Sequence, residues 1–316
     1  MNVLRPIALR LLYGLISLIA ISFVTFMAAS MAPGDAARII AGEKATPEAY
    51  QAIRRQLNLD KPVLTQYALY MGKVVRGDLG TSYHGTKQPV SEKIVANLPM
   101  TLRISAWAIL LASAIGIGLG TLAGLKKDRV VDKVILGLST FGVTTPNFVL
   151  APLLVYLFAV HWDKLPTGWS PERVASDFYY LVLPVCILAL RPMATITRLS
   201  RATTIDTAAQ DYIHLAIAKG VPRPRLVFRH ILRNSLLPVI TAIGTSFGFL
   251  LTGSFILETA FQLPGIGREG IEAIQRRDTP MILATTLVAG ALFVLVNLIV
   301  DIIQPILDPR IRESQV

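Results

Sequence analysis

The residues best suited to catalysis or metal binding are scattered along this chain of 316 residues. Its histidines are His84, His161, His214 and His230, and no two of them are close in sequence. The single cysteine, Cys186, excludes an intrachain disulfide and a cysteine metal cluster. The chain has no HExxH motif and no glycine-rich loop ending in GKS or GKT, so it predicts neither a zinc protease nor an ATPase site.

Arg191 is the charged residue that most needs a chemical explanation. It lies 13 residues after Phe178, where a long apolar stretch begins, which places it about 20 Å into a bilayer core of about 30 Å. Three explanations remain open. Its side chain reaches the cytoplasm, or it pairs with an acid of another chain, or it faces a water-filled pore and contacts an anionic group of a solute.

Residues 206–238, DTAAQDYIHLAIAKGVPRPRLVFRHILRNSLLP, are the most informative polar stretch. We predict a helix over residues 207–219 that ends at Gly220, because glycine readily takes the left-handed conformation of a helix end. Pro222 then prevents the helix from continuing. A second short helix is predicted to begin near Pro224 and to run into the fifth span at Pro238.

The second short helix carries Arg225, Arg229 and Arg233 at four-residue spacing, which predicts one basic stripe. Two short helices meeting at a glycine would form a rigid knob between two membrane spans. An ordinary basic loop, common in membrane proteins, is the alternative interpretation. Composition does not separate these two interpretations.

Composition places these residues in a membrane protein. Mean hydropathy is +0.56 and 16% of residues are charged, against about 25% in soluble domains. The excess of 31 Lys and Arg over 20 Asp and Glu fits basic cytoplasmic loops better than nucleic-acid binding. The six stretches long and apolar enough to span a membrane are residues 9–32, 100–125, 134–160, 178–199, 236–257 and 281–307.

Charge predicts the orientation of these spans. Residues 126–133 carry four basic and two acidic residues, and residues 191–233 carry eight basic and two acidic residues. The positive-inside rule therefore places both basic segments and both termini in the cytoplasm. The first span is longer than the apolar part of a secretory signal, so we expect it to be retained.

Residues 33–99 should then lie outside the membrane and be folded. Thr46, Pro47 and Glu48 form a helix-start pattern, and a second helix is predicted over residues 62–76, ending at Gly77. A cap packed on the membrane helices and a docking surface for an external protein are both open interpretations.

We also predict a short outer helix within residues 264–278. Small residues that should let helices approach closely are Gly116, Gly120 and Gly124.

Several motifs, taken in order, resemble the permease subunits of binding-protein-dependent ABC importers of the dipeptide, oligopeptide and nickel branch. DYIHLAIAKG followed by RHILRNSLLPV resembles the cytoplasmic loop that seats in the ATPase subunit of that family. The other matching motifs are PGD at 33–35, LNLDKP at 57–62, RGDLGTSY at 76–83, ETAFQLPGIG at 258–267, RDTP at 277–280 and LDPRIR at 307–312.

The resemblance implies a type I ABC importer permease fold in the bacterial cytoplasmic (inner) membrane, with six transmembrane helices and cytoplasmic termini. Residues 1–94 would hold the first span and the external segment, 95–305 the permease core, and 306–316 a cytoplasmic tail. The coupling-loop residues it implies are Asp211, Tyr212, His214, Ala216, Ala218, Lys219, Gly220, Pro222, Arg225, Arg229, His230, Arg233 and Asn234.

The same resemblance implies a heterodimeric pore made with a second homologous permease. Two ATPase subunits, which bind ATP and Mg²⁺, and an external solute-binding protein would complete the complex. The chain itself would bind no cofactor and no nucleic acid. His214 occupies a position where the wider superfamily often has glutamate, so the ionic contact of that position with the ATPase is left open.

An ion-coupled secondary transporter and a membrane-embedded enzyme are the alternative functions. An ion-coupled secondary transporter usually buries a relay of ionisable residues, whereas the predicted spans hold Arg103, Arg191, Arg198 and Asp301 without a run of acids or histidines. No inverted repeat is evident. A membrane-embedded enzyme lacks a candidate catalytic cluster. Dipeptides, oligopeptides, glutathione and nickel complexes all remain candidate solutes of the importer.

Overall fold

A computed structural model describes residues 4–31, 36–42, 45–84, 88–170 and 177–307. These residues are mostly helical, and the strand-type pairing found among them is an isolated bridge between Thr81 and Pro89. The helices are α1 (Leu4–Met31), α2 (Ala36–Ala41), α3 (Pro47–Gln56), α4 (Val63–Val74), α5 (Val90–Leu125), α6 (Val130–Thr144), α7 (Asn147–Val155), α8 (Asp177–Ala208), α9 (Asp211–Ala218), α10 (Arg223–Arg225), α11 (Arg233–Gly253), α12 (Phe255–Ala260), α13 (Ile266–Arg276) and α14 (Thr279–Leu307). Two π-helical segments, π1 (Tyr156–His161) and π2 (Leu226–Leu232), follow α7 and α10.

Five helical stretches are long and apolar enough to cross a membrane, and the bent pair formed by α6 with α7 and π1 would be a sixth. The five are Ala8–Met31, Val90–Leu125, Phe178–Ala208, Arg223–Gly253 and Thr279–Gln304. They correspond to the first, second, fourth, fifth and sixth predicted spans. The all-α membrane architecture is therefore confirmed for the described residues.

The third predicted span, residues 134–160, is not one straight helix. α6 ends at Thr144, and α7 begins at Asn147 after a bend of 101°. Pro146 explains the break, because a proline ring clashes with a helical residue before it. Thr145 accordingly has an extended backbone, with ψ of 119°. A hydropathy profile reads through such a break because the flanking residues are equally apolar.

The fourth predicted span is longer than its apolar run. α8 has 32 residues, and it continues through Pro184 and Pro192 and past the predicted end at Leu199. A membrane core needs about 20 residues of helix. The extra length carries the helix toward the polar segment that precedes α9.

Two compact units divide the chain, Met1–Thr101 with Leu263–Val294, and Leu102–Gln262 with Leu295–Val316. The first unit contains the predicted external helices. The Thr46 hydroxyl accepts a hydrogen bond from Ala49 N at 3.3 Å and caps α3, with Pro47 in the first turn, which confirms the predicted helix start. α4 begins after Pro62, and Gly77, with φ of +81°, follows its end.

α4 packs on α1 through aromatic side chains. The Tyr67 ring meets the rings of Phe23 and Phe26 edge-on at centroid distances of 5.3 and 5.5 Å. The hydroxyls of Tyr67 and Ser22 are 2.8 Å apart. These contacts support the interpretation of the external segment as a cap on the first membrane helix. They leave its role as a docking surface a prediction.

A buried carboxylate anchors the loop after α4 in the same unit. Asp278 accepts hydrogen bonds from the Ser82 hydroxyl and from Tyr83 N, the latter at 3.2 Å. Burial, with the nearby Asp278 charge, raises the pKa of Tyr83 to about 12. Asp278 follows α13, the short helix predicted within residues 264–278. The RGDLGTSY and RDTP motifs therefore meet through their side chains.

In the second unit, α5 and α8 approach closely along the predicted glycine series. A methyl group at Gly116 would lie 2.9 Å from Ile196 Cγ2, and one at Gly124 would lie 2.7 Å from Thr204 Cβ. A methyl group at Gly120 would overlap the carbonyl oxygen of Thr197. The predicted close helix packing is confirmed.

Candidate functional site

The predicted coupling segment begins with a break that the sequence reasoning placed wrongly. Residues 207 and 208 belong to the end of α8, and α9 begins at Asp211. Gln210 separates the two helices with an extended backbone, φ −77° and ψ 145°. The predicted single helix over residues 207–219 is therefore the last turn of α8 followed by a separate helix of eight residues.

The end of α9 has the geometry predicted for a glycine stop. Gly220 has φ of +76° and donates its N–H to Ile217 O at 2.9 Å. Val221 donates to Ala216 O at 3.1 Å, which completes a Schellman motif. Val221 also packs against the cluster that contains Ala216. The left-handed conformation of Gly220 is confirmed.

The second predicted short helix runs into the fifth span, as predicted. Pro222 precedes α10, which passes through π2 into α11 without a gap, and Pro238 lies inside α11. The exposed side chains of Arg225, Arg229 and Arg233 follow this continuous helix. Their alignment as one basic stripe stays a prediction.

α9 and the start of the next helix share a small apolar core. Ile213 and Ala216 of α9 pack with Leu226 and Ile231 of π2, and all four are buried. Ala208, at the end of α8, packs against the same cluster. The predicted knob is therefore a packed unit rather than a loose basic loop.

Polar contacts close the other side of the knob. Asn234 Nδ2 donates to the Tyr212 hydroxyl at 3.0 Å and to His230 O at 2.9 Å. Three of the predicted site residues are thus brought together. They hold the first turn of α9 against the start of α11.

The outer surface of α9 combines polar and apolar side chains. Asp211, His214, Ala218 and Lys219 are exposed. Sequence reasoning missed Leu215 and Ile217, which are each 55% exposed, and Phe228, which is 70% exposed. The sequence DYIHLAIA did indicate this exposure. Six of its eight residues are apolar, and a helix of only two turns can bury few of them, so some apolar side chains must remain exposed.

Arg191 lies apart from this surface. It is 17 residues before the end of α8, about 26 Å along the helix axis. Its side chain is exposed, and within the described part of the chain it forms no ion pair. Thr195 Oγ1 donates to the Arg191 carbonyl at 3.1 Å. An exposed guanidinium is compatible with each of the three explanations given above.

Sequence reasoning also missed an ion pair between a buried carboxylate and a partly buried arginine. Asp132 in the first turn of α6 is 1% exposed, and Arg201 of α8 binds both of its carboxylate oxygens, at 2.6 and 2.7 Å. Asp128 N donates to the same carboxylate at 2.9 Å. Removing one partner of such a pair typically costs about 3–5 kcal/mol, because the other charge is left buried and unpaired.

A serine pattern in α11 has no catalytic geometry. Gly244, Ser246 and Gly248 form a GxSxG sequence, which in hydrolases marks a sharp turn between a strand and a helix. Here all three residues lie within one continuous helix. A side chain at Gly244 would overlap Val300, so this glycine serves close helix packing.

Known proteins resemble this chain in sequence over most of its length. The family described as "Binding-protein-dependent transport system inner membrane component" matches residues 116–313, and its N-terminal counterpart matches residues 3–105. The dipeptide transport system permease protein DppB of Escherichia coli K12 is 36% identical over 324 aligned residues, covering 94% of this chain and 95% of the relative.

A second group of relatives gives the same result. The glutathione transport system permease protein GsiC of Escherichia coli O6:H1 is 35% identical over 305 residues, covering 96% of this chain and 98% of the relative. The helical architecture defines a multi-pass membrane protein. The chain belongs to the family of binding-protein-dependent transport system inner membrane components, and it is the permease of an ABC importer. The PGD motif at residues 33–35, and residues 308–312 of the LDPRIR motif, lie outside the described residues.

Proposed function

We propose that this permease forms one half of a heterodimeric pore that imports di- or oligopeptides, and that α9 couples the pore to ATP-hydrolysing subunits. The observation that supports coupling most directly is the exposed apolar surface of α9. Leu215 and Ile217 are each 55% exposed and lie on either side of the packed face of α9, which carries Ile213 and Ala216. Apolar side chains held on the surface of a rigid element are typical of an interface with another protein.

The neighbouring charges suit a docking surface on the cytoplasmic side. Lys219, Arg225 and Arg229 belong to the same knob and are exposed. A basic rim on this knob would orient the partner and discourage contact with other proteins. The positive-inside rule places this rim, and with it both termini, in the cytoplasm.

The proposed complex contains a second homologous permease, two ATPase subunits and an external solute-binding protein. ATP and Mg²⁺ bind to the ATPase subunits. This chain transmits the motion of the ATPase subunits to the pore. Closure of the ATPase pair would displace α9 as a rigid body, because its own core and the Tyr212–Asn234 hydrogen bond oppose bending.

Peptide is the solute class that the relatives favour. The names of the two relatives specify dipeptide and glutathione transport, and both solutes carry a free carboxylate. Arg191 is a candidate contact for that carboxylate. Guanidinium groups bind carboxylates through two parallel hydrogen bonds, which gives direction as well as strength.

The coupling role is tested by placing charges on the apolar surface of α9. We expect Leu215→Asp with Ile217→Asp to abolish ATP-dependent uptake of a radiolabelled dipeptide by the reconstituted complex. The ATPase subunits should no longer copurify with the permease, since two carboxylates would have to be buried at the interface.

Val75→Asp is the matched control, because Val75 is 83% exposed but lies in the external segment. It should leave uptake and copurification unchanged. Retained ATPase binding and normal uptake in the α9 double variant would contradict the proposed coupling surface.

A further inference from the structure

The Asp132–Arg201 ion pair occupies a mechanically important place. Arg201 lies seven residues before the end of α8, and α9 begins three residues after that end. Asp132 lies in the first turn of α6. The two-point geometry, with distances of 2.6 and 2.7 Å, fixes the angle between the two helices as well as their separation.

α6 is also held to α8 near its other end. A methyl group at Gly142 would lie 3.3 Å from Leu190 O and 3.4 Å from Ala194 Cβ, so the two helices are in close contact there. α6 therefore touches α8 through a salt bridge at its start and through backbone packing close to its end. A helix fixed at two separated points cannot rotate or slide independently.

α9 is in turn fixed to α8. Ala208, the last residue of α8, packs against the core formed by Ile213, Ala216, Leu226 and Ile231. The linker between α8 and α9 is two residues long. A displacement of α9 is thus passed to the end of α8 without a flexible connection.

The rigid connection ends at the bend after α6. α7 leaves α6 at 101°, and Thr145 and Pro146 between them have extended backbones. A break of this kind is where a domain-scale motion can change backbone angles without disturbing helices. The bend is therefore the first place after α6 where relative motion is structurally permitted.

We propose that Asp132 and Arg201 are positioning residues that make α6 move as one body with α8 and α9, so that displacement of α9 is delivered to the bend at Thr145 and Pro146. The inference rests on the coupling role proposed above for α9. Without the ion pair, the start of α6 detaches from α8 and the displacement is lost before it reaches α7.

Distances between spin labels in the complete complex test this inference. The complex, in lipid nanodiscs and with Cys186→Ala, is labelled at Leu138→Cys on α6 and Asp206→Cys on α8, or at Leu153→Cys on α7 and Asp206→Cys. Trapping with ATP and vanadate should leave the first distance unchanged and shift the second. A shift of the distance between residues 138 and 206 in the labelled chain that keeps Asp132 and Arg201 would overturn the inference.

Two variants address the ion pair itself. Asp132→Asn keeps the shape of the side chain and removes its charge, and Arg201→Lys keeps the charge and removes the two-point contact. We expect either variant, in complexes that still assemble and hydrolyse ATP, to broaden the distance distribution between residues 138 and 206. Dipeptide imported per ATP hydrolysed should fall about fivefold or more.

Asp163→Asn is the matched control, because Asp163 lies in the loop after π1, is exposed, and has a left-handed backbone that asparagine tolerates. It should retain normal import per ATP. Normal import per ATP in Asp132→Asn, with the α9 double variant uncoupled, would overturn the ion-pair inference alone. Normal coupling in both variants would overturn the proposed role of α9 as well.

Discussion

Arg191 places a positive charge near the middle of α8, the helix that precedes the proposed coupling segment. A guanidinium charge within a membrane span must be neutralised or solvated by water, by an acid or by a solute. The side chain is exposed, and the described residues offer it no ion pair. A charge that is retained without an internal partner is typical of residues facing a pore or a neighbouring subunit.

We expect Arg191→Ala to reduce uptake of a dipeptide with a free carboxylate by roughly tenfold or more, as for the loss of a charge-assisted hydrogen bond of about 1.5–3 kcal/mol. Uptake of the same dipeptide with an amidated C-terminus should fall much less, because it presents no carboxylate. Initial rates of uptake in proteoliposomes measure both quantities.

Arg191→Lys is the matched control for charge. It should retain most carboxylate-dependent uptake while losing part of the two-point contact. Equal loss of both solutes in Arg191→Ala would instead indicate pairing with an acid of the second permease. Unchanged uptake of both would show that the side chain merely reaches water.

At the scale of elements, the contact between α5 and α8 determines whether the second unit packs correctly. A side chain at Gly120 meets backbone as well as side-chain atoms of α8, so it cannot be accommodated by a rotamer change. We expect Gly120→Ala to destabilise the permease by about 1–3 kcal/mol. The midpoint of thermal unfolding in detergent should fall accordingly.

Gly118→Ala provides the control on the same helix. A methyl group there meets nothing within 4 Å, and alanine favours a helix over glycine. Its unfolding midpoint should stay the same or rise. Equal losses in the two variants would mean that the close approach of α5 and α8 is not what the glycines provide.

Much of this architecture was predictable from local sequence. Length and hydropathy located five spans, Thr46 marked the start of α3, and Gly220 marked the end of α9. The breaks were harder to predict, because the backbone turns between α8 and α9 at Gln210 without a proline or glycine. The bend at Pro146 is read through by a hydropathy window, since residues on both sides are apolar.

The candidate site was predicted in part for a different reason. Its residues were found through a resemblance of motifs, which named positions without their environment. The exposure of Leu215 and Ile217 depends on which face of α9 packs against π2, a tertiary contact. Asp132 and Arg201 are 69 residues apart, and nothing local to either one indicates the other.

At the scale of the whole molecule, the charge pattern predicts which segments face the cytoplasm. We expect cysteines introduced at Gln51 in α3 and Gln275 in α13 to react with an impermeant maleimide in spheroplasts. Cysteines at Lys127 and Ala218 should react after the membrane is permeabilised, since the positive-inside rule places both in the cytoplasm. All four positions are exposed, so accessibility within the chain does not limit the reaction.

The chain with Cys186→Ala and no added cysteine gives the background, since Cys186 is the single native thiol. Labelling at Ala218 in intact spheroplasts would reverse the orientation and remove the basis for cytoplasmic coupling. Protection at Gln51 would place the segment between the first two spans inside.

The bend between α6 and α7 has a further consequence, which concerns hydration. Pro146 has no N–H to offer the carbonyl oxygen of Gly142, and Gly142 packs at Leu190 and Ala194, halfway along α8. Lipid tails cannot hydrogen-bond an open backbone group, so irregular backbone at this depth must be covered by protein or bathed in water. Gly142 is buried against α8, so the chain itself covers this part of the bend. The hydroxyls of Thr144 and Thr145 donate to the carbonyl oxygens of Thr140 and Phe141 at 3.0 and 2.9 Å, so side chains at the break supply hydrogen bonds that lipid cannot provide.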